Sequence, residues 1–393
     1  MKILHITRSF KKGGAEVVVN YLASSGTSEF DSYRIFSLCE EKSGDVFSNN
    51  RKEKNYYIPY PSETVLAKLS YRLDKIARNI LYLVSNFIVV KKINPDIIHI
   101  HAIDKFGIPL MEIARFQNIP FVLTLHQMKN FEKPILEKIE KKTRNNNIFY
   151  VTFVSEFLKN SSNLKTILQE KQMRVIYNGI DVEYFSKTID KKNNFREQLN
   201  IPNDSIVIGA SGRIIKVKRY DILIQAAKIL IKKNYRVHFF LAGNGDPELE
   251  IHLNELVNSF QINEFFHFLP WQEDIRDYLL NIDVYVITSD SEGLPLGLLE
   301  ACAMGVPSIA TKVGGIPEIF SEVVELIEPG SSELLADKLE YLISLINFSK
   351  YSKQGKILAG KHTKDVMIEN YVSLYRDLIN SKQKRFGKRE NEN

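Results

Sequence analysis

The residues best suited to chemistry lie between Val284 and Glu300, in the run VYVITSDSEGLPLGLLE. The pattern predicts a buried strand (VYVITS), an acidic loop containing glycine, and a helix opening at Leu294-Pro295. Proline is favoured just inside a helix start, because its missing N–H would have no intrahelical partner there. The free N–H groups of that first turn, with the positive end of the helix dipole, make a site for phosphate. Glu292 stands at the mouth of the site. Glu300 follows further along the helix, about 12 Å on at ~1.5 Å per residue. One carboxylate is then placed for a sugar hydroxyl and the other for hydroxyls at the far end of a diphosphate, which is the shape of a nucleotide-sugar. A surface helix carrying two solvated glutamates fits the same residues.

Two cations, Arg213 and Lys218, follow the apolar run SIVIGAS. Arginine grips phosphate oxygens bidentately and lysine supplies a point charge. Such a pair suits a leaving diphosphate, whose negative charge grows in the transition state. A solvated basic loop is the alternative, since Lys216 and Arg219 are close by. Gly13-Gly14 lets backbone approach a ligand with no Cβ in the way, or forms a plain turn. No Asp-x-Asp occurs to hold Mg²⁺ or Mn²⁺ on a diphosphate. His99 and His101 share a strand face, but no acidic partner accompanies them. A metal-free reaction is expected, with no cofactor beyond the donor itself. Gly243-Asn244-Gly245 lacks a third glycine at Glu248, so the dinucleotide fingerprint fails.

Short apolar runs that alternate with helical patterns position these residues. The first half has KILHIT, YRIFSLC, DIIHIHA, FVLTLH, FYVTFVS and RVIYNG; the second has SIVIGAS, RVHFFLAG, FFHFLP, VYVITS, VPSIAT and VVELIEP. Near-continuous apolar strands between helices indicate parallel sheets covered on both faces, and two sets indicate two doubly wound domains. Ligands of such sheets bind beyond the carboxyl ends of the strands. The glycines, His126, Arg213 and Lys218 all fall there. The domain boundary is expected near residue 183, giving domains over 1–183 and 184–365. A C-terminal helix over 366–380 and a basic, polar tail over 381–393 follow.

The chain has 393 residues, 44% apolar and 25% charged, which fits a globular protein too long for one ordinary core. Cys39 and Cys302 fit no metal spacing, so buried thiols in a reducing compartment are expected. The N-terminus lacks the apolar run of a signal peptide, and no segment reaches the roughly 20 apolar residues of a membrane span. Residues 1–180 carry 27 Lys and Arg against 17 Asp and Glu, and the second half is acidic. A basic half implies an anionic partner. No nucleic-acid motif accompanies it, so nucleic acid is not expected and a membrane surface is. Lys68, Arg72, Lys75 and Arg78 recur at helical spacing, with Leu66, Leu69, Leu73, Ile76, Ala77 and Ile80 expected on the opposite side. A helix of that kind either docks on anionic lipid or merely covers a sheet.

These residues, in this order, resemble the retaining glycosyltransferases of family 4, of bacterial surface-polysaccharide type. The resemblance runs over essentially the whole chain. It rests on Gly13-Gly14, His126, Asn178 to Asp181, Gly212-Arg213 with Lys218, Glu292 with Glu300, Gly305 to Pro307, and Gly314 to Glu318. It implies an α/β fold of GT-B type, two doubly wound Rossmann-like domains facing a central cleft; the amphipathic C-terminal helix fits packing on either domain, crossing back to the first being one of the two placements. The first domain would bind acceptor and the second the nucleotide-sugar.

By the same resemblance, Arg213 and Lys218 hold the donor diphosphate. Glu292 and the backbone of Gly293, Leu294, Pro295 and Leu296 contact sugar and phosphate, and Glu300 the ribose. Gly14 closes on the phosphate, His126 sits beside the transferred sugar, and the base lies against Pro270-Trp271-Gln272. The catalytic set is His126, Arg213, Lys218 and Glu292. Two departures stand out: Arg219 replaces the glycine that usually follows the lysine, and Pro270 replaces another common glycine. The implied activity is metal-independent transfer of a hexose, from a UDP-sugar, to a lipid-linked or saccharide acceptor, in the cytoplasm or at the inner face of its membrane. A sugar-nucleotide epimerase on the same fold would need acid and base groups on both sugar faces, and only His126 is evident. An inactive scaffold is opposed by the intact Arg/Lys and Glu/Glu pairs.

Overall fold

A computed structural model describes residues 1–7, 13–24, 31–36, 54–57, 71–101, 107–127, 137, 149–187, 194–345 and 349–390. The chain divides into two units, Met1–Ile176 with Met367–Asn393, and Tyr177–Val366.

The first unit is built on a parallel sheet of β1 (Lys2–Thr7), β2 (Asp31–Phe36), β3 (Lys54–Tyr57), β4 (Ile97–Ile100), β5 (Phe121–Leu125), β6 (Phe149–Phe153) and β7 (Met173–Val175), in the order β3-β2-β1-β4-β5-β6-β7. β4 and β5 are buried throughout, in keeping with sequences that are apolar but for His99 and Thr124. The strand order reverses between β1 and β4, and that switch point is where a doubly wound sheet opens a crevice. The edge strand β3, KNYY, escaped the sequence reading because it is short and lacks an apolar run.

The helix Tyr71–Ile93 corrects the expected amphipathic face. It packs inward through Tyr82, Asn86, Val90 and Ile93, and the Asn86 amide donates to the Tyr82 carbonyl at 2.7 Å. Ile76 and Ile80, expected inside, are each 55% exposed. The inward stripe follows the later turns, so the first apolar residues rotate to the outside. Lys68, Leu66, Leu69 and Cys39 lie outside the described residues, as do the side chains of Arg72, Leu73 and Lys75.

The second unit carries a parallel sheet of β8 (Ile206–Ser211), β9 (Val237–Ala242), β10 (Phe266–Leu269), β11 (Val284–Ile287), β12 (Ser308–Thr311) and β13 (Glu325–Ile327), in the order β10-β9-β8-β11-β12-β13. All six correspond to runs anticipated from sequence. The helix Tyr220–Lys232 buries Ile222, Leu223, Ala226, Ala227 and Leu230 against Ile208, Phe239 and Val284. Each such large aliphatic side chain contributes roughly 1.5–3 kcal/mol of burial. The order reverses between β8 and β11.

The helix expected to open at Leu294-Pro295 runs from Leu296 to Met304, with Pro295 in extended conformation as its N-cap. Glu292 therefore lies in the preceding loop, and the axial spacing inferred for Glu292 and Glu300 does not apply. The last helix, Lys364–Glu390, runs well beyond the expected 366–380. It begins in the second unit and from Met367 onward belongs to the first, where Tyr371, Tyr375 and Leu378 are buried. Its start is tied down within the second unit: Lys364 pairs with Asp181, and Ile180 forms a bridge with Thr363. A Cβ on Gly179 would stand 2.1 Å from the Thr363 carbonyl oxygen, so that close approach requires glycine.

Candidate active site

Most of the residues singled out in the second unit gather at the β8–β11 switch point. β8 ends at Ser211, and the chain turns through Gly212, φ 137°, to put Arg213 on the surface. The Arg213 guanidinium has no partner among the described residues. Gly243-Asn244-Gly245 acts as a brace for this turn. Gly212 N–H donates to the Ala242 carbonyl at 2.9 Å and Ile214 N–H to that of Asn244 at 3.0 Å. A Cβ on Gly243 would lie 2.0 Å from the Gly212 carbonyl oxygen.

A single 3₁₀ turn, Lys216–Lys218, then carries Lys218 toward the loop after β11. Its ammonium donates to Glu292 Oε1 at 2.7 Å, and Ser289 Oγ donates to the same oxygen at 2.6 Å. These side chains are 24% and 11% exposed, so the pair is shielded without being sealed from solvent. The two loops are stitched further by Thr288 Oγ1 to the Lys218 carbonyl, 2.7 Å, and Asp290 N–H to the Val217 carbonyl, 2.8 Å.

Arg219 explains why glycine is common at its position. It adopts the left-handed conformation, φ 49° and ψ 46°, which side chains resist. Its guanidinium bonds Asp221 and Asp290, and these contacts offset the backbone cost. Arg219 thereby ties the lysine turn to the Glu292 loop. Gly314 supports the same loop from behind. Its φ is 59°, and a Cβ there would meet the Glu292 carbonyl oxygen at 1.8 Å.

The helix 296–304 points its unpaired first-turn N–H groups toward this loop. The entry is held by Asn178, whose amide donates to the Leu294 carbonyl at 2.9 Å, and by Gly315 N–H on the Gly293 carbonyl at 2.8 Å. Glu300 sits within the helix near Tyr285, and burial pushes its carboxyl up to about 7. Tyr285 OH meets Ser211 Oγ at 3.1 Å and leaves space only for glycine at position 297. Gln272 donates to the Pro270 carbonyl at 2.7 Å, and Trp271 keeps a buried Nε1 with no partner among the described residues. Sequence reading had no role for Ser289, although its placement three residues before Glu292 was visible. The packing of Asn178 against Leu294 was not.

The first unit places Gly14 at the start of the helix Gly14–Ser24 and His126 just beyond β5. Burial lowers the His126 imidazole to about 4. His5, His99 and His101 bring one ring nitrogen each within 4.8 Å of one another, a cluster only half visible in the sequence. His99 has both nitrogens engaged, Nδ1 with Tyr375 OH at 2.6 Å and Nε2 with Thr124 Oγ1 at 2.7 Å. A metal ion there would have to break one of those bonds, so the cluster fits hydrogen bonding better than ligation.

Two parallel, doubly wound units define the GT-B architecture of glycosyltransferases. HepE from Anabaena, solved in complex with UDP and glucose, superposes with a TM-score of 0.79 at 18% identity, over 96% of this chain and 100% of that one. A glycosyltransferase from Rickettsia africae gives 0.78 at 18% identity, over 96% and 98%. Residues 12–184 match the family model described as Glycosyltransferase Family 4, and residues 191–356 that of Glycosyl transferases group 1. The chain belongs to glycosyltransferase family 4. Among curated relatives, the O-antigen biosynthesis glycosyltransferase WclY of Escherichia coli is 28% identical over 223 residues, 56% of this chain and 60% of WclY. The UDP-Gal:alpha-D-GlcNAc-diphosphoundecaprenol alpha-1,3-galactosyltransferase of the same species is 29% identical over 244 residues, 59% of this chain and 62% of that one. The matches thus span about 60% of these relatives' lengths.

Proposed function

We propose that this chain is a retaining hexosyltransferase of surface-polysaccharide or glycolipid biosynthesis, moving a sugar from a UDP-sugar to a lipid-linked or saccharide acceptor without a metal ion. The observation that carries this reading is the convergence of Arg213, the Lys218–Glu292 pair and a helix N-terminus at one switch point. An incoming diphosphate competes for the Lys218 ammonium and frees Glu292 for a sugar hydroxyl. Arg213 and Lys218 then face the charge that grows as the bond from the sugar's anomeric carbon to the diphosphate breaks. The acceptor oxygen bonds that carbon on the same face and passes its proton to the departing phosphate. Glu300, within the helix, takes the ribose hydroxyls. These two cations supply charge that a divalent ion would otherwise bring. The names of the relatives support a UDP-sugar donor and a lipid-linked or O-antigen product.

The acceptor reading includes an anionic membrane surface. Ile76, Ile80, Val84 and Ile88 form an exposed apolar row along the helix 71–93, and Phe116, 78% exposed, packs its ring on Phe87 beside it. Lys91, Lys92 and Arg115 flank the row and are exposed. Such a surface suits the boundary between headgroups and acyl chains. Among the described residues no helix is long and apolar enough to cross a membrane.

A thermal-shift screen of UDP-, GDP- and ADP-sugars tests the donor. A UDP-sugar at a hundred times its dissociation constant should stabilise the second unit by ~2.7 kcal/mol. A flat response to every nucleotide-sugar would overturn the reading.

A further inference from the structure

The first unit holds a row of histidines that leads from β1 to His126. β4 lies between β1 and β5, with His5 paired in register with His99. His101 follows β4 and His126 follows β5, so the imidazoles of His5, His101 and His126 stand side by side at the carboxyl edge of the sheet. His5 Nδ1 and His101 Nε2 are 3.2 Å apart, and so are His101 Nδ1 and His126 Nε2. Neighbouring rings are stacked, with centroids 5.5 Å apart in both pairs and interplanar angles of 28° and 25°. His101 spends both nitrogens inside this chain. His126, half-buried, spends only Nε2, and its Nδ1 has no partner among the described residues.

Burial keeps His126 neutral near pH 7, and burial together with the neighbouring imidazoles keeps His101 neutral, so each carries one N–H. Around the chain stand His99, Tyr371 and Tyr375, with Tyr371 OH 3.2 Å from Thr124 Oγ1. Neutral imidazoles in this arrangement have only two consistent proton patterns. In one, His126 Nε2–H donates to His101 and His101 Nε2–H donates to His5, so all three rings are Nε2–H tautomers. In the other every donation reverses and all three are Nδ1–H tautomers. A mixed pattern would set two N–H groups, or two lone pairs, against each other.

We propose that His5 and His101 are positioning residues that fix the ring orientation and tautomer of His126, committing its Nε2 to the chain and presenting its Nδ1 to a hydroxyl of the sugar substrate. The proposal rests on the transferase reading for the identity of that substrate. The chain itself is a property of the free protein. A neutral ring locked in one tautomer offers either a donor or an acceptor at a fixed place, which is what orienting a hydroxyl demands.

Nitrogen-15 NMR of the ligand-free protein reads the chain directly. The expected result is one shared tautomer for His5, His101 and His126. Opposite tautomers in neighbours, or a mixture at His126 in the wild type, would overturn the proposal, as would Zn²⁺ binding through three of these rings. Kinetics with a UDP-sugar form the second arm. His101→Leu should lower kcat at least ~tenfold with donor affinity unchanged, and His101→Gln, whose amide can bond His126, should recover part of the loss. If Leu works as well as His, the residue only fills space. Failure of the transferase reading looks different: the tautomers agree, yet no UDP-sugar is turned over by the wild type.

Discussion

Glu292 and Glu300 are the same residue type in environments that set them apart. Glu292 is paired with Lys218, whereas burial raises the Glu300 carboxyl to about 7. If Glu300 accepts both ribose hydroxyls, one on each oxygen, it must be ionised, so UDP affinity should fall about tenfold between pH 8 and pH 6, as the ionised fraction falls. Calorimetry across that range checks it, and Glu300→Gln should bind weakly with a flat profile. The stability sign is opposite. A raised acid pKa stabilises the fold below the unfolded value, and that contribution is lost as pH rises through about 7. His126, lowered to about 4, contributes stability above its unfolded value that is lost as pH falls from about 6.5 toward 4.

The two cations should separate in the same way. Arg213→Ala removes an exposed guanidinium that has no partner among the described residues, so stability should stay within about 0.5 kcal/mol. The rate at saturating donor should nevertheless fall at least ~tenfold. Lys218→Ala should lower both, because it leaves the part-buried Glu292 carboxylate without its cation. Melting curves beside initial rates decide this, and an unstable Arg213→Ala with a normal rate would refute it.

At the scale of elements, the strands were legible apart from the short edge strand KNYY, and the loops were not. All six strands of the second sheet could be read because each is a short, mostly apolar run ended by polar or glycine residues. The start of the helix 296–304 was misplaced, since Pro295 is suited to N1 and to the extended cap equally, and only packing chooses. The outward turn of Ile76 and Ile80 was hidden too, because a stripe of apolar residues does not state which stripe faces the sheet. Gly314 was visible as part of a pattern, while its reason, contact with the Glu292 carbonyl, is tertiary. Gly314→Ala combines a positive φ with a 1.8 Å clash, so it should destabilise by roughly 1–3 kcal/mol and move the Glu292 loop. Chemical denaturation and kcat should both register it. An alanine variant with wild-type stability and turnover would show that the loop does not depend on this contact.

For the whole molecule, charge asymmetry and apolar exposure fall together in the first unit. The docking account predicts flotation with phosphatidylglycerol vesicles that high salt weakens, and loss on changing Ile80, Val84 and Ile88 to Ser. Equal flotation with neutral vesicles at low salt would leave the exposed row without a lipid role. The two-unit plan was readable because each half repeats the strand–helix alternation. The amphipathic pattern of the last helix left its packing on either unit open, and its buried tyrosines show that it packs on the first.

The most direct test of the central claim is to follow a UDP-α-sugar by proton NMR with excess EDTA present. The account predicts slow release of UDP and of a sugar whose first-formed anomer is α, slowed at least ~tenfold by Arg213→Ala. A β first product, or activity abolished by EDTA and restored by Mg²⁺ or Mn²⁺, would contradict it.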